Sequence, residues 1–316
     1  MKAISAPLGV ARSNVIERRY GLRARRGPQE RPGDVELAGV IRRFVDERPT
    51  YGYRRIAALL KRERRSDGLA PINTKRVYRL MKKHGLLLER HTGRRHPREH
   101  DGRVATIRSN CRWCSDALEF TCWNGEVVRV AFALDCHDRE AISWVATTAG
   151  ISGEMIRDIM VRCVEQRFGA IRAPHPVQWL SDNGSIFAAH RTIEIALALN
   201  LVPCFTPVES PESNGMAEAF VKTFKRDYVR VSPIPDAAAA LALVDSWMED
   251  YNTVHPHSRL SYQSPREYIL SQPVACPGLT GATPAPRHRQ NRSVDHAVVK
   301  WSLCCDKIVS KMTLVG

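Results

Sequence analysis

Two aspartates stand next to predicted strands, where carboxylates could coordinate divalent cations. Asp182 follows the apolar run 177–180, which is typical of a buried strand, and precedes the turn residues Asn-Gly. Asp116 opens another strand-like run, which passes through an Asn-Gly pair into the apolar run 127–134. Because Asn-Gly between two such runs is a strong hairpin signal, we expect Asp116 on the first hairpin strand or at its start.

A third carboxylate, Glu218, lies on a predicted helix. Neither Pro nor a further Gly interrupts residues 216–231, and Ser213 or Asn214 is a natural N-cap. The apolar residues of this helix share one face and are expected to pack against the rest of the protein.

The opposite face of this helix is charged. Glu218, Lys222 and Lys225 recur at the spacing i, i+4, i+7, so they lie on the same side. A carboxylate followed by two ammonium groups suits a polyanion that lies across the site. We therefore predict that Lys222 and Lys225 contact such a polyanion.

The three acidic residues resemble the DDE triad of retroviral-integrase-like transposases. Asp116, Asp182 and Glu218 occur in that order, and 35 residues separate the last two, the spacing that these enzymes favour. The flanking words also match: Ser-Asp-Asn-Gly, then Ser-Pro-Glu-Ser-Asn-Gly, then Phe-Val-Lys-Thr-Phe-Lys-Arg. Over roughly residues 34–270 the chain is similar to the second-reading-frame transposases of bacterial insertion sequences that use two overlapping frames.

The resemblance implies a fold and a reaction. The predicted order of strands and helices is similar to a ribonuclease-H-like α/β fold, a mixed sheet flanked by helices, preceded by a small all-α helix-turn-helix-type domain. Asp116, Asp182 and Glu218 would be the catalytic residues and would hold two Mg²⁺, or Mn²⁺, about 3.5–4 Å apart. The enzyme would cleave the element's ends and join their 3′ ends to target DNA, and Lys222, Lys225 and Asn214 would contact that DNA. The family's closing signature is also present, with His255 where an arginine is usual.

The same three carboxylates would also fit other functions. A related nuclease would cut DNA without joining it, and a DNA-binding regulator could keep the catalytic fold in an inert form. Proteins of this family often act as a fusion with the upstream-frame product, so the chain could also be an incomplete transposase subunit that is inactive alone.

The charge is unevenly distributed along the chain. The net charge is +15, yet residues 1–112 carry 29 Lys and Arg against 11 Asp and Glu, whereas residues 113–316 carry 19 against 22. This asymmetry indicates a basic part that binds nucleic acid, joined to a nearly neutral part with another task.

The basic part contains three predicted helices, over 35–47, 54–64 and 74–84, of which Asp34 and Asn73 cap the first and third. Three short helices with brief connections favour a helix-turn-helix-type module. The third is predicted to bind DNA through its outward basic residues, although such residues could also be solubilising charges: Lys75, Arg76, Arg79, Lys82 and Lys83.

Composition, the predicted elements and the family resemblance together predict six segments. They are a flexible basic arm (1–33), the helix-turn-helix-type domain (34–88), a basic linker (89–112), the catalytic core (113–235), its C-terminal helix and closing motif (236–270), and a disordered tail (271–316). Without an apolar run of membrane-spanning length or a signal core, neither a transmembrane helix nor secretion is expected. The family resemblance implies a protein of the bacterial cytoplasm, at the nucleoid, that acts as a homo-oligomer on DNA.

Zinc is not expected. Cys111 and Cys114 follow His96 and His100 in an order that resembles the zinc module of retroviral integrases. Only ten residues separate the two pairs, however, and a zinc ion at Cys114 would crowd the strand of Asp116.

Overall fold

The computed structural model describes residues 31–89, 106–206 and 215–272. The chain forms two compact units, and the first unit ends at Arg90. The predictions for the N-terminal arm, for most of the linker, for Asn214, for the two histidines of the zinc-like motif and for nearly all of the tail lie outside the described residues. Within the described ranges, no helix is both long and apolar enough to cross a membrane.

The first unit is a three-helix module with its own core. Its helices are α1 (Asp34–Glu47), α2 (Tyr53–Ser66) and α3 (Thr74–Lys83), close to the predicted bounds. Each helix contributes an apolar stripe, and side chains from all three are completely buried, among them Ile41, Ile56 and Val77. As predicted, the Asn73 side chain caps α3, since it accepts a hydrogen bond from the Lys75 backbone N–H.

The prediction that Asp34 caps α1 is wrong. Gly33 occupies the N-cap in the left-handed conformation, with φ 75°, and Asp34 is the first residue of the helix. Its carboxylate accepts a hydrogen bond from the Arg31 N–H, which precedes the helix, and it is buried against arginines of α3. The side chain is therefore used in a tertiary contact, which the local sequence pattern does not indicate.

The second unit is built on one five-stranded sheet. Its strands are β1 (Arg112–Thr121), β2 (Val127–Asp135), β3 (Ala141–Thr147), β4 (Val177–Ser181) and β5 (Leu201–Phe205). The spatial order is β3-β2-β1-β4-β5; β1, β2 and β3 form an antiparallel meander, while β4 and β5 run parallel to β1. This order, with helices on both faces, is the predicted ribonuclease-H-like arrangement.

Helices cover the sheet on both sides. They are α4 (Gly153–Phe168), α5 (Ser185–Ala188), α6 (His190–Ala198), α7 (Gly215–Asp227), α8 (Ala237–Thr253) and α9 (Pro265–Ser271), with 3₁₀ turns at Val229–Val231 and Ser258–Leu260. One core packs α4 and α6 against Trp113 and Trp179, and the other packs α7 and α8 against Phe132 and Leu180. The carboxylates discussed below lie on this second face.

Two helical segments are broken without a helix-breaking residue. Residues 185–198 form two helices rather than one, because the extended backbone of Ala189 (φ −59°, ψ 134°) separates α5 from α6. The helix predicted over 216–231 ends at Asp227 and is followed by a 3₁₀ turn. Neither break has a Gly or Pro to mark it in the sequence.

Candidate active site

Asp116 lies on β1, and Asp182 directly follows β4, the neighbouring parallel strand. The register pairs Trp113 with Trp179 and Cys114 with Leu180, so each aspartate comes two residues after the last pair. Cys114 and Leu180 both face the α7 side of the sheet, and strand alternation puts Asp116 on that side as well. Adjacent strands lie about 4.8 Å apart, so the turn of Asp182 begins next to the part of β1 that carries Asp116.

Glu218 reaches the same face through the packing of α7. Phe220, two residues after Glu218, contacts Phe132 with ring centroids 4.5 Å apart. Phe132 is the partner of Asp116 in the β1–β2 register. Ala217 on the same helix is completely buried. The apolar stripe of α7 thus brings its first turn, with Glu218, to the strand that carries Asp116.

The electrostatics indicate that the three carboxylates influence one another. Burial raises the pKa of Asp116 to about 6, a hydrogen bond from the Ala117 N–H opposes this, and the negative charges of Asp182 and Glu218 raise it further. Burial is the largest cause, and the added effect of the two negative charges indicates that Asp116 lies in a region with excess negative charge. Such a site attracts cations.

Each carboxylate also has a local partner. Asp116 Oδ1 accepts from its neighbour's N–H at 2.8 Å, Asp182 Oδ1 accepts from the Gly184 N–H at 3.0 Å, and Glu218 Oε2 lies 3.3 Å from Lys222 Nζ. In the three described ranges, no three His, Cys, Asp or Glu side chains are already arranged as a metal cage. The donor set is nevertheless made only of carboxylate oxygens, the ligands that Mg²⁺ and Mn²⁺ favour.

The predicted DNA contacts on α7 are only partly described. Lys222 is exposed and forms an i, i+4 ion pair with Glu218, and Lys225 is half-buried one turn further along. Their contacts with DNA stay predictions.

The predicted DNA contacts on α3 fall into two groups. Lys75, Lys82 and Lys83 are exposed. Arg76 and Arg79 instead form ion pairs with Asp34, each with an N–O distance of 2.7 Å. Sequence reasoning missed this structural role of the two arginines, because the carboxylate lies more than 40 residues earlier in the chain. Their roles in DNA binding also stay predictions.

Two other residues singled out in the sequence have structural positions. Cys114 is completely buried; the neighbouring Cys136 thiol and burial raise its pKa well above the ordinary value. His255 is also buried, with Nδ1 3.8 Å from an Asp227 carboxylate oxygen at the end of α7. The histidine that replaces the usual arginine is therefore next to the last residue of the helix that carries Glu218.

Comparison with known proteins identifies the chain. A model named "Integrase core domain" matches residues 107–211, a second model of the same description matches 201–265, and an "HTH-like domain" model matches 33–95. "Transposase InsD for insertion element IS2D" from Escherichia coli (strain K12) is 50% identical over 248 residues, which cover 78% of this chain and 82% of that protein. The chain belongs to this family of insertion-element transposases.

Two further proteins are similar to parts of the chain. "Insertion element IS136 uncharacterized protein Atu4601" from Agrobacterium fabrum is 59% identical over 195 residues, 61% of this chain and the whole of that protein. The catalytic core domain of BIV integrase aligns at 20% identity with 51% of this chain and 95% of its own, with a TM-score of 0.33.

The family and the enzyme class predicted from the sequence are confirmed: the protein is a DNA transposase with polynucleotidyl transferase activity. Together, the two integrase-core matches span all three acidic positions of the transposase.

Proposed function

We propose that the transposase uses Asp116, Asp182 and Glu218 to cut the ends of its element and to join the 3′ ends to target DNA. The observation that supports this proposal is the arrangement of the elements that carry the three carboxylates. Cys114 and Leu180, each two residues before an aspartate, pair across β1 and β4, and Phe220 of α7, two residues after Glu218, packs on Phe132, the β2 partner of Asp116. The negative charges of Asp182 and Glu218 also raise the pKa of Asp116.

The same three residues would hold two divalent cations, Mg²⁺ or Mn²⁺. Bound there, the ions would activate a water or a 3′-hydroxyl for in-line attack and stabilise the leaving oxygen. The raised pKa of Asp116 supports this assignment, because the negative charge that causes part of the rise would be neutralised by a cation. Each side chain would have to turn from its local partner toward the ion.

The polyanionic substrate would lie across the charged face of α7. Lys222 is exposed beside Glu218, and Lys225 follows on the same side, so both ammonium groups could contact phosphates close to the reacting bond. The HTH-like unit would hold the same DNA through the exposed lysines of α3. The proposed DNA comprises the element's terminal inverted repeats and the target.

The reaction also requires more than one protein chain. An element has two ends, and one chain offers one set of the three carboxylates, so we propose a homo-oligomer assembled on DNA at the bacterial nucleoid. Fusion with the upstream-frame product, or binding to it, would add further DNA contacts. Sedimentation of the protein with and without end DNA, alone and with that product, tests both points.

Glu218→Gln provides the decisive test because it keeps the shape of the side chain and removes its charge. We expect strand transfer with labelled element ends to be lost, while the affinity for the same DNA stays within about twofold. Glu194→Gln is the matched control, since Glu194 is also a helical glutamate in an exposed i, i+4 pair, with His190.

Three results would contradict the proposal in different ways. Strand transfer retained by Glu218→Gln would remove that residue from the site. Cleavage without joining by the wild-type protein would identify a nuclease, and Mg²⁺-independent DNA binding without cleavage would identify a regulator or an incomplete subunit.

A further inference from the structure

The turn that carries Asp182 is fastened on both sides to the end of β5. Asn183 Nδ2 donates a hydrogen bond of 2.8 Å to the Thr206 carbonyl, and the Thr206 N–H donates one of 3.1 Å to the Ser181 carbonyl. The residues immediately before and after Asp182 are therefore both tied to Thr206. Only the hydrogen bond between Asn183 and Thr206 involves a side chain, so only this bond can be removed by a substitution.

The Asp182 side chain itself is held weakly. It is exposed, and its Oδ1 atom accepts a hydrogen bond from the Gly184 N–H, two residues along the same turn. A Cβ atom added to Gly184 would lie 3.0 Å from Asp182 Oδ1, so the carboxylate lies close against the turn backbone. The direction of the carboxylate therefore depends on the conformation of residues 182–184.

Thr206 lies at the end of the sheet. It is buried and directly follows β5, which pairs in parallel with β4 over its whole length. The chain then continues toward α7, which carries Glu218. The hydrogen bond from Asn183 to Thr206 thus connects the turn of Asp182 to the end of β5, the strand that precedes α7 and Glu218 in the chain.

We infer that Asn183 is a positioning residue, which holds the Asp182 carboxylate in the direction required for metal binding. The inference rests on the proposed function, since it takes Asp182 as a metal ligand. Asn183 does not touch the reacting atoms. Without its amide the three carboxylates stay chemically intact, but the turn of Asp182 can move, so the affinity for the metal should fall about tenfold.

The experiment measures the binding of Mn²⁺ alone to the full-length protein, by titration followed by electron paramagnetic resonance. The variants are Asn183→Ala and Asp182→Asn, together with the matched control Asn200→Gly. Asn200 Nδ2 donates a similar bond of 2.9 Å to the Ala173 carbonyl, and its φ of 65° is one that glycine adopts without strain. Thermal melting of each variant is recorded in parallel.

Four outcomes decide the inference. Asp182→Asn should weaken Mn²⁺ binding most, and Asn183→Ala should weaken it about tenfold but reach the wild-type stoichiometry at high Mn²⁺, because all ligands remain. Asn200→Gly should melt at a lower temperature than the wild type, as Asn183→Ala does, and yet bind Mn²⁺ as the wild type does. Equal loss of affinity in both asparagine variants would mean a general loss of stability and would overturn the inference.

The failure of the proposed function would look different. If Asp182→Asn binds Mn²⁺ as tightly as the wild type does, the residue is not a ligand and the proposed site is wrong. If Asp182→Asn is impaired while Asn183→Ala is not, the site stands and Asn183 has no positioning role.

Discussion

The ionised Asp116 should destabilise the folded transposase at neutral pH. Its pKa rises from the ordinary 3.8 to about 6, chiefly through burial and also through the charges of Asp182 and Glu218. One pKa unit corresponds to about 1.4 kcal/mol, so this difference in pKa corresponds to about 3 kcal/mol of folding free energy. Because Asp116 is only partly buried, solvent screening reduces the expected cost to about 1–2 kcal/mol.

The sign of the pH dependence follows from proton binding. A carboxyl whose pKa is higher in the folded than in the unfolded protein binds its proton more tightly when folded. Stability is therefore lost as the pH rises from about 4 to about 6, and the full cost is present above that range. Asp116→Asn keeps the shape and the oxygen that accepts from the Ala117 N–H, so it should remove this cost.

The assay is thermal melting of the full-length protein with EDTA, at several pH values from 4 to 8. We expect Asp116→Asn to melt about 3–6 °C above the wild type at pH 8, and at nearly the same temperature at pH 4. Asp158→Asn, at an exposed aspartate of α4, is the control and should show no such pH-dependent gain. Added Mg²⁺ should raise the melting temperature of the wild type but not that of Asp116→Asn.

Two results would refute this reasoning. If Asp116→Asn is no more stable than the wild type at pH 8, the burial and repulsion assigned to the carboxyl are wrong. An equal gain at pH 4 and pH 8 would attribute the effect to packing rather than to charge.

Two further predictions concern DNA binding and the first unit. Asp34→Ala should speed hydrogen exchange in α3 about tenfold at pH 7, because it removes the shared carboxylate of two arginines, whereas Asp46→Ala at an exposed site should not. The hydrogen bond from the Arg31 N–H and the two arginines lower the pKa of Asp34. The stabilisation by Asp34 should therefore be lost as the pH falls below about 4. Equal hydrogen exchange in wild type and variant at pH 7 would contradict the prediction. Lys222→Ala should weaken binding to a 40-base-pair duplex of any sequence. The slope of log affinity against log salt concentration should fall by about one, as expected for the loss of one phosphate contact, and fluorescence anisotropy measures both. An unchanged salt slope would place Lys222 away from the DNA.

The sequence alone determined the parts of this protein that depend on short-range patterns. Apolar alternation and an Asn-Gly turn predicted the β1–β2 hairpin, and helical periodicity predicted α1 to α3 to within about two residues. Three acidic residues with matching flanking words and spacing indicated the transposase family. These signals are local in the chain or are carried by short motifs, so they need no knowledge of which elements meet.

The tertiary structure decided which groups meet across long distances in the chain. Asp34 was predicted as a cap and instead binds Arg76 and Arg79, 42 and 45 residues away. Asn183 was noted only as a turn residue, yet its amide donates to Thr206, 23 residues later. The raised pKa of Asp116 likewise needs burial and two carboxylates from other elements. Desolvation and charge interaction depend on distance in space, and that distance is set only when the sheet and α7 have packed together.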